Sequence, residues 1–207
     1  MSAHTTEIKR GRKFDQVIDG ARAVFLRDGF EGASVDDIAR EAGVSKATLY
    51  SYFPDKRMLF IEIALHETQV QADAFKERMD IDVPPDVFLP AVGRKILDFV
   101  LSDFGQAVHR IAMSEGARFP EIGHKFYESG PLLIRRRLGE YFEHWIAKGV
   151  LKIDDLDLAA DQFSELCKSR ALITCTFLPA CQFSEGEKET IVSHAVAMFL
   201  NYYGRGD

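Results

Sequence analysis

The sequence predicts an all-α protein, and three observations carry that expectation. Apolar residues recur three and four positions apart in one segment after another. Serines and aspartates open these segments, and glycine or proline closes them. No stretch alternates apolar and polar residues long enough for a convincing strand; Val150–Ile153 is too short to count as one. There is no internal repeat and no low-complexity tract.

After a polar start of about ten residues, Phe14, Val17, Ile18, Ala21, Val24 and Phe25 share one helical face. Gly29 ends this first helix, with Phe30 placed to touch Phe25 in a Schellman-type contact. Ser34 is a candidate N-cap for a second helix, and Asp37 completes a capping-box pattern. Val35, Ile38, Ala39 and Ala42 form its inner face. Gly43 stands where a left-handed residue stops that helix and turns the chain. Ser45 then caps a third helix, which turns Leu49 and Phe53 inwards and exposes Ser45, Lys46, Ala47, Thr48, Tyr50, Ser51 and Tyr52. Pro54 ends it. A helix, a glycine turn and a second helix make the helix-turn-helix, whose second helix lies in the DNA major groove.

Asp55 caps a fourth helix expected to run from Lys56 towards Met79, apolar nearly all round at Met58, Leu59, Phe60, Ile61, Ile63, Ala64 and Leu65. It reads as the mechanical link between a reader domain, residues 1–55, and a larger domain, residues 56–207. Asp80 to Pro85 breaks the pattern. Helices are then expected from Pro90 to Leu101, Asp103 to Gly116 and Glu121 to Ser129. Another starts at Pro131, with Ile134, Leu138, Tyr141, Phe142 and Trp145 on one face, and stops at Gly149. The last two span Leu156 to Phe177 and Glu185 to Tyr203, the second opened by a Ser184–Glu187 capping box.

The composition, 46% hydrophobic with 16 Phe in 207 residues, supplies a sizeable core. The formal net charge of −6 argues against a generally basic coat, but residues 1–60 hold ten Lys and Arg against nine Asp and Glu. The acidity belongs to the remainder. The cluster Lys9, Arg10, Arg12 and Lys13 is either an arm for a minor groove or phosphates, or a solvated tail. Three cysteines, Cys167, Cys175 and Cys181, lack metal-ligand spacing and read as reduced thiols in a helical core, with a redox switch as the alternative. Six scattered histidines and the absence of HExxH, GxSxG and phosphate-loop patterns point away from an enzyme, a metal or a cofactor. With no membrane-length apolar run and no leader, a soluble cytoplasmic protein is expected.

IAREAGVSKATLYSYFPDK, preceded by the helical stretch Phe14 to Phe30, resembles the N-terminal domain of the TetR family of bacterial transcriptional regulators. The resemblance covers Phe14 to about Leu65, with Gly43, Tyr50, Phe53 and Lys56 in register. Further on, MSEGARFPEIGHKFYESGP is similar to the ligand domain of the AcrR/AefR-like subgroup. The DNA-contacting set is then Ser34, Val35, Val44, Ser45, Lys46, Ala47, Thr48, Tyr50, Tyr52 and Lys56. Lys46 suits guanine O6 and N7, and Ala47 or the Thr48 methyl suits a thymine methyl. The matching family positions imply that Tyr50 and Tyr52 reach phosphates. Lys56 and the amides of its helix suit one phosphate, and Ser34 with Val35 offer the same.

One reader helix spans few base pairs, so specific affinity requires two copies on a palindromic operator. Phe163, Leu166, Ile173 and Phe177 with Ile191, Ala195, Met198 and Tyr202 give the last two helices apolar faces. The family builds a four-helix dimer interface there, though either face also suits ordinary core. The resemblance further implies a cavity for a small, mostly apolar effector among Phe99, Phe104, His109, Glu115, Phe119, Phe126, Tyr127 and Trp145, whose aromatics otherwise read as core. Arg135, Arg136 and Arg137 read as a solvated face, with one able to meet a carboxylate ligand. The expected function is a repressor released from its operator by a small apolar or aromatic effector. The competing reading is a non-specific DNA-packaging or protein-docking module without small-molecule control.

Overall fold

A computed structural model describes residues 11–64, 66, 81–178 and 181–205 of the chain. Its contacts divide into two compact units, Met1–Glu67 and Thr68–Asp207.

In the first unit, α1 (Arg12–Gly32) buries Phe14, Val17, Ala21, Val24 and Phe25. Gly29 interrupts it at φ 69°, where the sequence predicts the stop, and one further turn follows. Phe30 stacks on Phe25 with ring centroids 6.2 Å apart, the contact expected of that stop. Helix α2 (Val35–Glu41) starts on Ser34, whose Oγ accepts from the Asp37 amide at 3.1 Å. Gly43, at φ 61°, turns the chain into α3 (Lys46–Tyr52), capped by Ser45 accepting from the Thr48 amide at 3.1 Å. A fourth helix, α4, occupies 56–64 and opens on Asp55, which accepts from the Arg57 amide at 2.8 Å. Phe60 of α4 meets Phe25 and Phe30 at 4.9 and 5.0 Å, so this helix shares the core of the reader unit. The unit therefore extends past the boundary at residue 55 that the turn at Pro54 suggests. The expected course of this helix towards Met79 lies outside the described residues.

Helices α1 and α2 cross closely at Gly20. A Cβ placed there would lie 2.5 Å from the Ala42 amide nitrogen, so only glycine fits without a backbone shift.

The second unit packs α5 (Pro85–Leu101), α8 (Pro131–Ala147), α9 (Leu156–Lys168) and α11 (Glu185–Tyr203) around one apolar core. Phe88 stacks on Tyr141 at 3.6 Å, and Phe199 joins Phe142 and Phe163 at 5.1 and 5.4 Å. Helices α6 (Asp103–Glu115) and α7 (Pro120–Ser129) flank it, burying Val108, Ile111, Ala112 and Ile122. One face of α8 holds the segment before α5: Tyr141 donates to the Val83 carbonyl at 2.6 Å and Trp145 to Ile81 at 3.2 Å, while His144 and Lys148 engage Asp82. The Ser184–Glu187 capping box forms as expected.

Three expectations are corrected here. Helix α5 begins at Pro85, with Pro90 inside it. The proline removes one bond, to the Asp86 carbonyl, near the start, while Phe88 and Leu89 before it and Val92 after it are buried and offset the cost. The helix expected from Leu156 to Phe177 breaks at Arg170, which adopts φ 63°, and α10 (Ala171–Phe177) follows. No glycine or proline marks that break, so local signals miss it. Finally, Cys175 and Cys181 form a disulfide, leaving Cys167 as a free, buried thiol. Among the described residues there is no named strand, and no helix is long and apolar enough to cross a membrane.

Candidate nucleic-acid interface

The reader face is built by fixing α3 from behind. Leu49 and Phe53 are 1% and 3% exposed, and Phe53 lies 5.7 Å from Phe14 of α1. With these anchors inwards, Ser45, Lys46, Ala47, Tyr50 and Ser51 are exposed along the opposite face. The Oγ atoms of Ser45 and Thr48 lie 2.9 Å apart, so both hydroxyls partly serve the cap. Val44 and Thr48 are half-buried. Tyr52 is half-buried too, its ring edge-on to Phe14 at 5.7 Å, and is less open than its place in the pattern suggests. Its neighbour two positions back, Tyr50, is 47% exposed.

The charges of this face are arranged in pairs. The Lys46 ammonium engages Asp36 of α2, a partner that sequence reasoning missed because the two lie ten positions apart across the turn. Arg40 engages Asp37, whose carboxyl is held below its usual range by the Ser34 hydroxyl and then by Arg40. Arg27 lies 2.8 Å from Asp28 and 3.9 Å from Glu41. A surface paired in this way has little unspecific pull on phosphates, and its cations must trade carboxylates for DNA. Lys9 and Arg10 of the basic cluster lie outside the described residues.

Lys56 is placed differently from its expected phosphate-facing role. Its ammonium donates to the carbonyls of Phe30 and Ala33 at 2.8 and 2.9 Å and lies 4.4 Å from the Phe30 ring centroid. It ties the end of α1 to the start of α4, with two of its three N–H groups used. The pattern carries this as a lysine in register; only folding shows what it reaches.

The expected effector set divides. Phe99 meets Phe104 at 6.5 Å where α5 passes into α6, and His109 of α6 meets Phe126 of α7 at 6.4 Å. Burial, and then the Lys168 charge, hold His109 below its ordinary pKa. Glu115 ends α6, its carbonyl accepting from the Phe119 amide at 2.7 Å, and Phe119 stands before α7 under the Arg118 guanidinium at 5.0 Å. Tyr127 is 44% exposed, with Arg135 5.9 Å from its ring centroid. Trp145 does not join them: it packs in the main core beside Tyr141. Arg135 forms a two-pronged pair with Asp161 at 2.9 and 2.6 Å, which corrects its reading as solvated.

A groove of about 760 Å³ lies between α9 and α11, lined by Gln162, Glu165, Leu166, Met198, Tyr202 and their neighbours, and none of the effector candidates reaches it. Of the residues expected on the dimer faces, Phe163 and Ala195 are buried inside the unit. Ile173, Phe177, Met198 and Tyr202 are 58–78% exposed.

Comparison with known proteins agrees with this geometry. The family described as "Bacterial regulatory proteins, tetR family" matches residues 17–63, and "AefR-like transcriptional repressor, C-terminal domain" matches residues 88–205. The repressor AcnR of Corynebacterium diphtheriae is 29% identical over 82 residues, 40% of this chain and 42% of AcnR. The regulator IcaR of Staphylococcus aureus is 37% identical over 46 residues, 22% of this chain and 25% of IcaR. These matches thus span less than half of either relative. A solved TetR-family regulator from Mesorhizobium loti superimposes with a TM-score of 0.78 at 24% identity, covering 94% of this chain and 98% of that one. The flavonoid-responsive regulator FrrA gives 0.67 at 33% identity, covering 96% and 100%. With matching family regions at both ends and this reader geometry between Ser34 and Phe53, the chain belongs to the tetR family of DNA-binding transcriptional regulators.

Proposed function

We propose that the protein is a repressor that grips a palindromic operator as a homodimer and lets go when a small apolar or aromatic effector binds its second unit. The observation that carries this reading is α3, anchored by Leu49 and Phe53 and offering Lys46, Ala47 and Tyr50 outwards. Lys46 leaves Asp36 for guanine O6 and N7, Ala47 meets a thymine methyl, and Tyr50 donates its hydroxyl to a phosphate. Ser34, Val35 and Ser45 bring helix-start amides to the backbone. The near balance of charge on this face favours sequence reading over packaging, which needs a net attraction to any duplex.

A second copy is required because one α3 covers too few base pairs. The exposed Met198 and Tyr202 beside the α9–α11 groove support that face as the site of pairing. Support for an aromatic effector comes from Phe99, Phe104, His109 and Phe126, and from the flavonoid response named for FrrA. The effector works by preferring a conformation whose two α3 helices no longer match grooves about 34–36 Å apart.

Mobility shift on the DNA upstream of the gene tests the reading. Lys46→Ala and Tyr50→Ala lose the retarded complex while circular dichroism and light scattering stay those of the wild-type dimer. Wild-type affinity in both variants overturns the assignment. Titrating candidate aromatic ligands against the preformed complex tests release.

A further inference from the structure

We propose that Cys175 and Cys181 are a reversible thiol–disulfide site, exchanging with low-molecular-weight thiols and disulfides, whose oxidised form fixes the last turn of α10. Their Cα atoms are 5.6 Å apart, within the ordinary range for a bridge. Cys175 is buried on α10, and Cys181 is half-buried beyond it, its amide donating to the Leu178 carbonyl at 2.9 Å.

Two arguments separate this pair from a permanent staple. A DNA-binding regulator works beside the chromosome, where small thiols keep cysteines reduced and bridges that do form are usually redox-responsive. The unit also has no need of a staple, since Phe142, Phe163 and Phe199 already give it a closed core. Cys167 serves as the internal contrast. It is wholly buried, and burial pushes its thiol up to about 12, so it stays inert.

The bridge matters locally because α10, which rests on α5 and α6, adds few side chains to the core. The helix has seven residues, starts after left-handed Arg170, and buries only Ala171 and Cys175. Ile173, Phe177 and Leu178 are 59%, 73% and 62% exposed. A helix this short is marginal without tertiary support.

In the oxidising direction the Cys181 thiolate attacks a small disulfide, giving a mixed disulfide and releasing one small thiol. The Cys175 thiolate then attacks the Cys181 sulfur, closing the bridge and releasing the second. Two electrons and two protons pass from the protein to the small disulfide. Reduction runs the same steps backwards, entering at the more accessible Cys181.

The full-length protein, equilibrated across ratios of reduced to oxidised glutathione, tests the site by alkylation and mass spectrometry. At the oxidising end one thiol, Cys167, is alkylated, and only after denaturation; with excess reduced thiol two more become available. Cys181→Ser abolishes that two-thiol step, and hydrogen exchange over 171–178 speeds up by at least about tenfold on reduction. A bridge that survives a large excess of thiol, one that never forms, or exchange unchanged by reduction overturns the proposal.

Discussion

The two units use helices to opposite ends. In the reader unit, α3 buries one side chain of its own, Leu49, and its aim depends on backbone devices around it: Ser34, Gly43, Ser45 and the close crossing at Gly20. In the second unit, α5 alone buries seven residues, and the helices are held by mutual packing. A thin core steered by single atoms is sensitive to one methyl group. A thick core absorbs a helix-interior proline at Pro90. Precise aim therefore resides where stability is least redundant.

Two glycine substitutions break or sharpen this contrast most strongly. Gly20→Ala drives a Cβ onto the Ala42 backbone, at an overpacking cost of about 1–3 kcal/mol. Thermal melts should show a less stable reader, and mobility shift a lost complex. Gly139→Ala, in α8 with no atom within 4 Å of the new Cβ, should stabilise the second unit by up to about 1 kcal/mol through helix propensity. Similar destabilisation by both variants would erase the distinction.

Lys56→Met comes next. It removes two charge-assisted bonds to the end of α1 and should cost about 1–2 kcal/mol in denaturant titration, discounted for partial exposure. If instead stability holds and the salt dependence of DNA binding loses about one unit of slope, Lys56 belongs to the phosphate contacts.

A pH effect tests the second unit. His109 has a depressed pKa, so folding favours its neutral form. Its contribution is fully present above the unfolded value of about 6.5 and is lost as pH falls below it. Melting temperature should drop on acidification from pH 7 to 5, and His109→Asn should flatten that slope; an identical slope in the variant excludes His109 as the source.

The smallest effect belongs to Asp36→Asn. Freeing Lys46 from an exposed pair worth under about 1 kcal/mol should raise affinity for operator and random duplex alike, by no more than roughly fivefold. Competition titration with random DNA checks it.

What could be read from sequence follows the same divide. Ser34, Gly43, Ser45 and Pro54 act on residues within four positions, so the starts, turn and stop of the helix-turn-helix are legible in the sequence, while the Lys46–Asp36 pair and the packing of Tyr52 on Phe14 are not. The Ser184–Glu187 box was legible for the same reason. Other features depend on partners far along the chain or on residues without a local signature. Arg170 breaks a helix without glycine or proline, and Lys56 finds carbonyls 23 and 26 positions back. Arg135 meets Asp161 on another helix, and Trp145 goes to the core because the 81–83 segment and Tyr141 receive it. Aromatic spacing alone cannot say which of Phe104, Phe126 and Trp145 share a neighbourhood, since helix packing decides that.

The central claim is that α3 reads duplex DNA in pairs, and nuclease footprinting on the DNA upstream of the gene tests it most directly. The account predicts one sharply bounded protected inverted repeat, half-sites one helical turn or a multiple apart, competed by that repeat and lost in Lys46→Ala. Diffuse protection that any duplex competes equally would contradict it.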